Sequence, residues 1–222
     1  MNSEPLASDW REIRRLHNEL CDPFVMMPMQ STAKSLSEAL QNIDAIFSEN
    51  SYNIARKYWD VPTELIHEEK GLYIGNIFVL AQVAIVQAVA IFRKLREFSD
   101  NCNAFPNKKD AILSFKSEIA NNGNLSQIAV IEATANYFKH QHEWPDSWNT
   151  IELSGVQATT IRAVKSIGMI PRDLTLNMEH SLRDLGISDD LELIVDIVSV
   201  WRENLANRFS NESKIAGSIC NI

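Results

Sequence analysis

Glycine and proline, the two residues that punctuate a chain, are scarce: 7 of each in 222 residues. A β-sandwich needs turn signals about every 8–12 residues, so long stretches free of both favour helices over an all-β fold. Cysteine is scarcer still. Cys21, Cys102 and Cys220 are odd in number, far apart and form no CxxC pair, which excludes a disulfide framework and a thiolate zinc site. Positive charge is also in deficit, with 21 Lys and Arg against 29 Asp and Glu and a net charge of −8. Nucleic acid and anionic lipid are therefore disfavoured, and a protein partner with a basic surface is favoured. No glycine-rich phosphate loop, GxSxG elbow or HExxH is present, so nucleotide hydrolysis, esterase and zinc-protease chemistry lack a starting residue. The start, MNSEPLASDW, has no basic segment leading into an apolar one; with the unpaired cysteines, the expected compartment is the cytoplasm.

What remains is an ordinary globular composition, 45% apolar and 23% charged, with helical periodicity almost throughout. Ser8 or Asp9 starts a helix to about Leu20, with Ile13, Leu16 and Leu20 on one face. CDPFVMMPMQ is expected to be a loop, since Pro23 and Pro28 would each remove a helix donor. Ser31 or Thr32 opens a second helix along Leu36, Leu40, Ile43 and Phe47, followed by a short aromatic helix over 54–59. Asn107 or Asp110 opens a helix through Ile112, Phe115 and Ile119 that stops at Asn122-Gly123; Asn124 or Ser126 opens the next, which ends at Pro145. Helices over 159–167 and 176–185 are closed by Gly168 and Gly186. Ser188 caps a last helix through Leu191, Ile194, Val198, Trp201, Leu205 and Phe209. The expectation is an all-α bundle of about seven or eight helices in a single domain over 1–222. A candidate minor boundary lies at 145–157, and a tail frays from about 211.

The most apolar segment, GLYIGNIFVLAQVAIVQAVAIF, is long enough to span a bilayer. Asn76, Gln82 and Gln87 interrupt it, and each unpaired amide in hydrocarbon would cost several kcal/mol. The expected state is a helix of about 64–98 buried all round at the centre of the bundle, with no membrane. Asn76, Gln87 and Lys94 share one face of it, and two buried amides on one line need partners.

Those partners are expected in ANYFKHQHEW, residues 135–144. Glu132, Asn136, His140 and Glu143 follow at intervals of four, four and three and so form one polar line. As a site, His140 would act as acid or base, Glu132 or Glu143 would orient its ring, and Asn136 would bind substrate together with Asn76 and Gln87. No metal or other cofactor is expected, because the only Glu-x-x-His is Glu64 to His67 and the order at His140 is reversed. The plain alternative is a helix end: an imidazole near a C-terminus complements the dipole, and Trp144 packs as the closing anchor. Arg11 and His17 fit the spacing of HEPN-class RNases, in which a His follows an Arg after four to six residues, but a hit of this kind arises readily by chance and lies here in the first helix, so no membership follows.

Two functions are carried forward. One is protein binding or assembly, of an immunity or antitoxin-like kind, through an acidic surface and broad apolar helices. The other is a metal-independent hydrolase or RNase centred on His140. Oligomeric state is not legible at this level.

Overall fold

The computed structural model describes residues 7–57, 61–99, 102–144, 148 and 155–212. Among them are eight α-helices and no strand: α1 (Ala7–Cys21), α2 (Met27–Lys57), α3 (Val61–Glu97), α4 (Lys109–Ser114), α5 (Gln127–Lys139), α6 (Gly155–Ser166), α7 (Leu174–Asp184) and α8 (Glu192–Glu212). α3 is the axis of an all-α bundle and packs against α1, α2, α5, α7 and α8. The aromatic helix expected at 54–59 is the end of α2 as far as Lys57, with 58–60 outside the described residues. The tail from 213, Cys220, and most of the 145–157 boundary also lie outside them.

Local sequence accounts for several helix ends. Ser126 Oγ caps α5 by accepting from Ala129 N at 3.2 Å, and Asp173 caps α7 by accepting from Leu176 N at 3.0 Å. At Gly186, φ is +74°, a conformation that suits glycine. The Ile187 and Gly186 amides there reach back to the carbonyls of Leu182 and Arg183 and close α7. The last helix begins differently from expectation: Asp190 rather than Ser188 accepts from Glu192 N, while Ser37 Oγ of α2 accepts from Leu191 N.

Three expectations are corrected. The loop expected over 21–30 is a 3-10 turn, Pro23–Val25, leading directly into α2 at Met27; Pro28 sits in the first helical turn, where no intrahelical bond needs its missing N–H. The helix through Ile112 stops at Ser114. Lys116 has φ +57° and Ile119 is exposed, because α8 takes the carbonyls a longer helix would use: Trp201 Nε1 donates to Phe115 O and Asn204 Nδ2 to Lys116 O. The third concerns α3. Ile74, Ile77, Phe78, Ala81, Ile85 and Phe92 are fully buried, yet Leu72, Val83 and Val86 face outward, so the helix is not covered all round. Of the described helices it alone is long and apolar enough to cross a membrane, and 61% of that stretch lies inside the bundle.

The approach of α5 to α3 is set by Gly75. A Cβ built there would lie 2.1 Å from the Phe138 ring, so only hydrogen fits. Gly75→Ala is expected to lower stability by about 1–3 kcal/mol despite the better helix propensity of alanine, because a rigid ring must move. Urea denaturation checks the sign.

Burial also sets a pH dependence. His17 of α1, half-buried and hydrogen-bonded through Nε2 to Ser210 Oγ of α8 at 2.8 Å, has its pKa lowered from 6.5 by desolvation. The unfolded chain then takes up the proton first. The contribution of His17 is complete above about pH 6.5 and is lost as pH falls through that value toward the lowered folded pKa. Acidification is expected to lower the thermal midpoint of the wild type more than that of His17→Gln.

Candidate functional site

The polar line of α5 divides at the helix end. Residue 140 is the C-cap, with φ −113° and ψ 15°, so the regular period that would align His140 with Asn136 and Glu132 stops at Lys139. His140 is exposed, and its Nδ1 lies 3.2 Å from Glu143 Oε2 in a one-turn 3-10 helix. Trp144 closes this end: its Nε1 donates to the Tyr137 carbonyl at 3.1 Å and its indole stacks on the Tyr137 ring at 6.1 Å.

The other half of the line is buried. Glu132 has a side-chain exposure of 7%; its Oε1 pairs with Lys109 Nζ of α4 and accepts from Asn136 Nδ2 at 3.3 Å. Asn136 Oδ1 in turn accepts from Gln82 Nε2 of α3 at 2.8 Å. Glu132 Oε2 is buried and, among the described residues, has no hydrogen-bond partner. This group borders a cleft of about 880 Å³ between α4, α5 and α6.

α3 and α5 do pack together, as the amide line suggested, but through a different amide. Gly75 meets Phe138 and Gln82 meets Glu132 and Asn136, so the helices run antiparallel. That places His140 roughly three turns along α3 from Gln87. Gln87 Nε2 instead donates to Glu19 Oε1 of α1 at 3.2 Å, and Asn76 is exposed on the outward face. Glu132 and Asn136 are therefore joined, His140 and Glu143 form a separate surface pair, and Asn76 and Gln87 belong to neither. Gln82 was visible only as an interruption of an apolar run, and nothing in its spacing signals its partner. Among the described residues no group of three or more His, Cys, Asp or Glu side chains is placed to hold a metal ion. The Cys21 thiol has its pKa raised, first by burial and then by Glu203, which works against a nucleophilic thiolate.

No protein-family model matches the chain, and neither a curated protein nor a solved structure shows significant similarity to it.

A second candidate site lies on α3 itself. Leu72, Asn76, Val79, Val83, Val86 and Ala90 follow at intervals of four, three, four, three and four, the spacing of a coiled-coil seam. Val79 is partly covered; the other five are exposed, Val83 by 65% and Val86 by 49%. Leu65, 59% exposed, continues the stripe one heptad earlier. Glu68 and Glu69 flank its beginning, Arg93 and Lys94 its end, and all four are exposed.

The buried amide relay gives the most direct stability test of the polar group. Gln82→Leu is expected to cost about 1–3 kcal/mol by leaving Asn136 Oδ1 without its donor, as read by chemical denaturation. The reverse change at exposed Leu72, Leu72→Gln, is expected to shift the midpoint of the monomer little.

Proposed function

We propose that the protein works by association and that its first partner is a second copy of itself, docked along the outward face of α3. The carrying observation is that an exposed apolar stripe keeps the 4-3 spacing of a coiled-coil seam through the most apolar helix of the chain. Contiguous exposed apolar surface costs solvation in a lone monomer, and a seam spacing is what lets one helix seat side chains between those of another.

Charge selects the orientation. In an antiparallel pair, full overlap of the seam sets Val79 opposite Val83, Leu72 opposite Ala90 and Asn76 opposite Val86. In that register Glu69 falls opposite Arg93 and Glu68 opposite Lys94. A parallel pair would instead set each like charge against itself. Asn76, the one polar residue in the seam, acts against slipped registers in the way a buried asparagine does in two-stranded coils. The contact is one helix wide, so an affinity on the order of micromolar is expected. A basic-surfaced partner of the immunity or antitoxin kind remains compatible with the net charge of −8, and a dimer would double that field. No observation favours a hydrolase at His140, whose one side-chain partner among the described residues is Glu143.

Sedimentation equilibrium across the micromolar range tests the reading. The wild type is expected to dimerise without detergent, and Val83→Lys to remain monomeric at unchanged helicity. Glu69→Arg is expected to weaken the dimer and Glu69→Arg with Arg93→Glu to restore it. A wild type that stays monomeric throughout, or a double variant weaker than the single one, contradicts it.

A further inference from the structure

The Asn122-Gly123 pair, expected as a helix stop, has another place in the fold. α4 ends well before it at Ser114, and the pair forms the tip of a hairpin whose two sides meet at the Ile119–Ser126 bridge. Asn122 is the only asparagine in the chain followed by glycine. Asn121, Gly123 and Asn124 are exposed and Asn122 is half-exposed. At Gly123 φ is +74°, and a Cβ built there would meet nothing within 4 Å, so the nitrogen that follows Asn122 belongs to a residue without a side chain in open space.

We propose that Asn122 is a site of spontaneous deamidation in the folded protein, and that the acid formed there releases the hairpin tip from α7. In the first step the backbone nitrogen of Gly123 bonds to Cγ of Asn122. The side-chain amide leaves with the proton of that nitrogen as ammonia, and a succinimide ring closes. Water then adds to one of the two ring carbonyls and breaks its bond to nitrogen, giving aspartate or isoaspartate. The net change consumes one water and releases one ammonia.

Two contacts hold the amide ready. Asn124 N donates to Asn122 Oδ1 at 2.7 Å, and Asn122 Nδ2 donates to Asp184 Oδ2 at 2.8 Å. Exchanging oxygen and nitrogen would set donor against donor and acceptor against acceptor, so the orientation of the amide is fixed. The bond to Oδ1 draws electrons from Cγ and stabilises the negative charge that this oxygen takes on during attack. One contact opposes the reaction: Gly123 N donates to Ala120 O at 2.9 Å and must be released first. One exposed hydrogen bond sets a brake of about tenfold.

Asp184 gives the product its consequence. It is buried in the last turn of α7 and accepts from both N and Nδ2 of Asn122, while Asn121 donates from N to Asp184 O and from Nδ2 to Arg183 O. Burial pushes the Asp184 pKa up, so this carboxylate is already costly to ionise. An acid at 122 removes the Nδ2 donor and brings a second negative charge against it. Isoaspartate also lengthens the main chain at the tip.

The test holds the full chain at mildly alkaline pH, folded in plain buffer and unfolded in guanidinium chloride, and follows it by peptide mapping and hydrogen exchange with mass spectrometry. Acid at 122 is expected to accumulate in the folded chain within about tenfold of the unfolded rate. It is expected to precede any at Asn121 or Asn124, which are followed by Asn122 and Leu125. Exchange of the Asn121 and Asn122 amides in the aged wild type is expected to rise about tenfold or more. Asn122→Gln, which keeps an amide but must close a larger ring, is expected to change neither mass nor exchange on ageing, and Asn122→Asp to exchange fast without ageing. A folded rate further below the unfolded one, acid first at Asn121 or Asn124, exchange unchanged after conversion, or an equal rise in aged Asn122→Gln would each overturn the proposal. None of the contacts at the tip involves α3, so the result is independent of the dimer.

Discussion

Everything in this molecule depends on covering α3. A helix of 37 residues is roughly 55 Å long, and six other described helices touch it, yet they do not close its circumference. The side left open carries Asn76 and Lys94 beside the apolar Leu72, Val83 and Val86, while Gln87 at its edge is half-buried against Glu19 of α1. The sides that are covered hold Ile74, Ile77, Phe78, Ile85 and Phe92 at zero or near-zero exposure. The same helix thus supplies both the core and the surface from which association is inferred.

Covering α3 also forces the polar chemistry of the interior. Gln82 lies on the covered side and brings an amide into the core, which obliges α5 to present Asn136, then Glu132, then Lys109 at the edge. Arg202 of α8 repeats the logic on the opposite flank: it is 1% exposed, and its guanidinium donates to the carbonyls of Ala84 in α3 and Glu19 in α1. Burial pulls its pKa down, with Glu19 acting in the other direction. Such groups specify which helix sits where, since a sliding neighbour would strand a buried donor.

How much of this was legible in the sequence depends on the range of the interaction concerned. The start of α5, and the glycine stops of α6 and α7, are set by residues a few positions away and are visible as caps and turns. The end of α4 is not, because Trp201 and Asn204 that capture its carbonyls lie 86 and 88 residues along the chain. At the site, the four-residue spacing of Glu132 and Asn136 was readable as a shared face, while the break before His140 comes from a local change of backbone that periodicity does not encode. Reading the amide line of α3 as buried failed for another reason. Composition marks the helix as apolar but does not say how many neighbours the rest of the chain can bring to it.

The division of α3 into a covered and an open side is best measured by native-state thiol labelling of single cysteines placed at Val83 and Ile85, in a chain otherwise free of cysteine and at concentrations too low to dimerise. The account predicts rapid labelling at 83 and labelling at 85 slowed to the rate of opening of the fold, with the protein dissolved in plain buffer. Equal rates at the two positions would contradict it, since the helix would then be either exposed on both sides or covered on both.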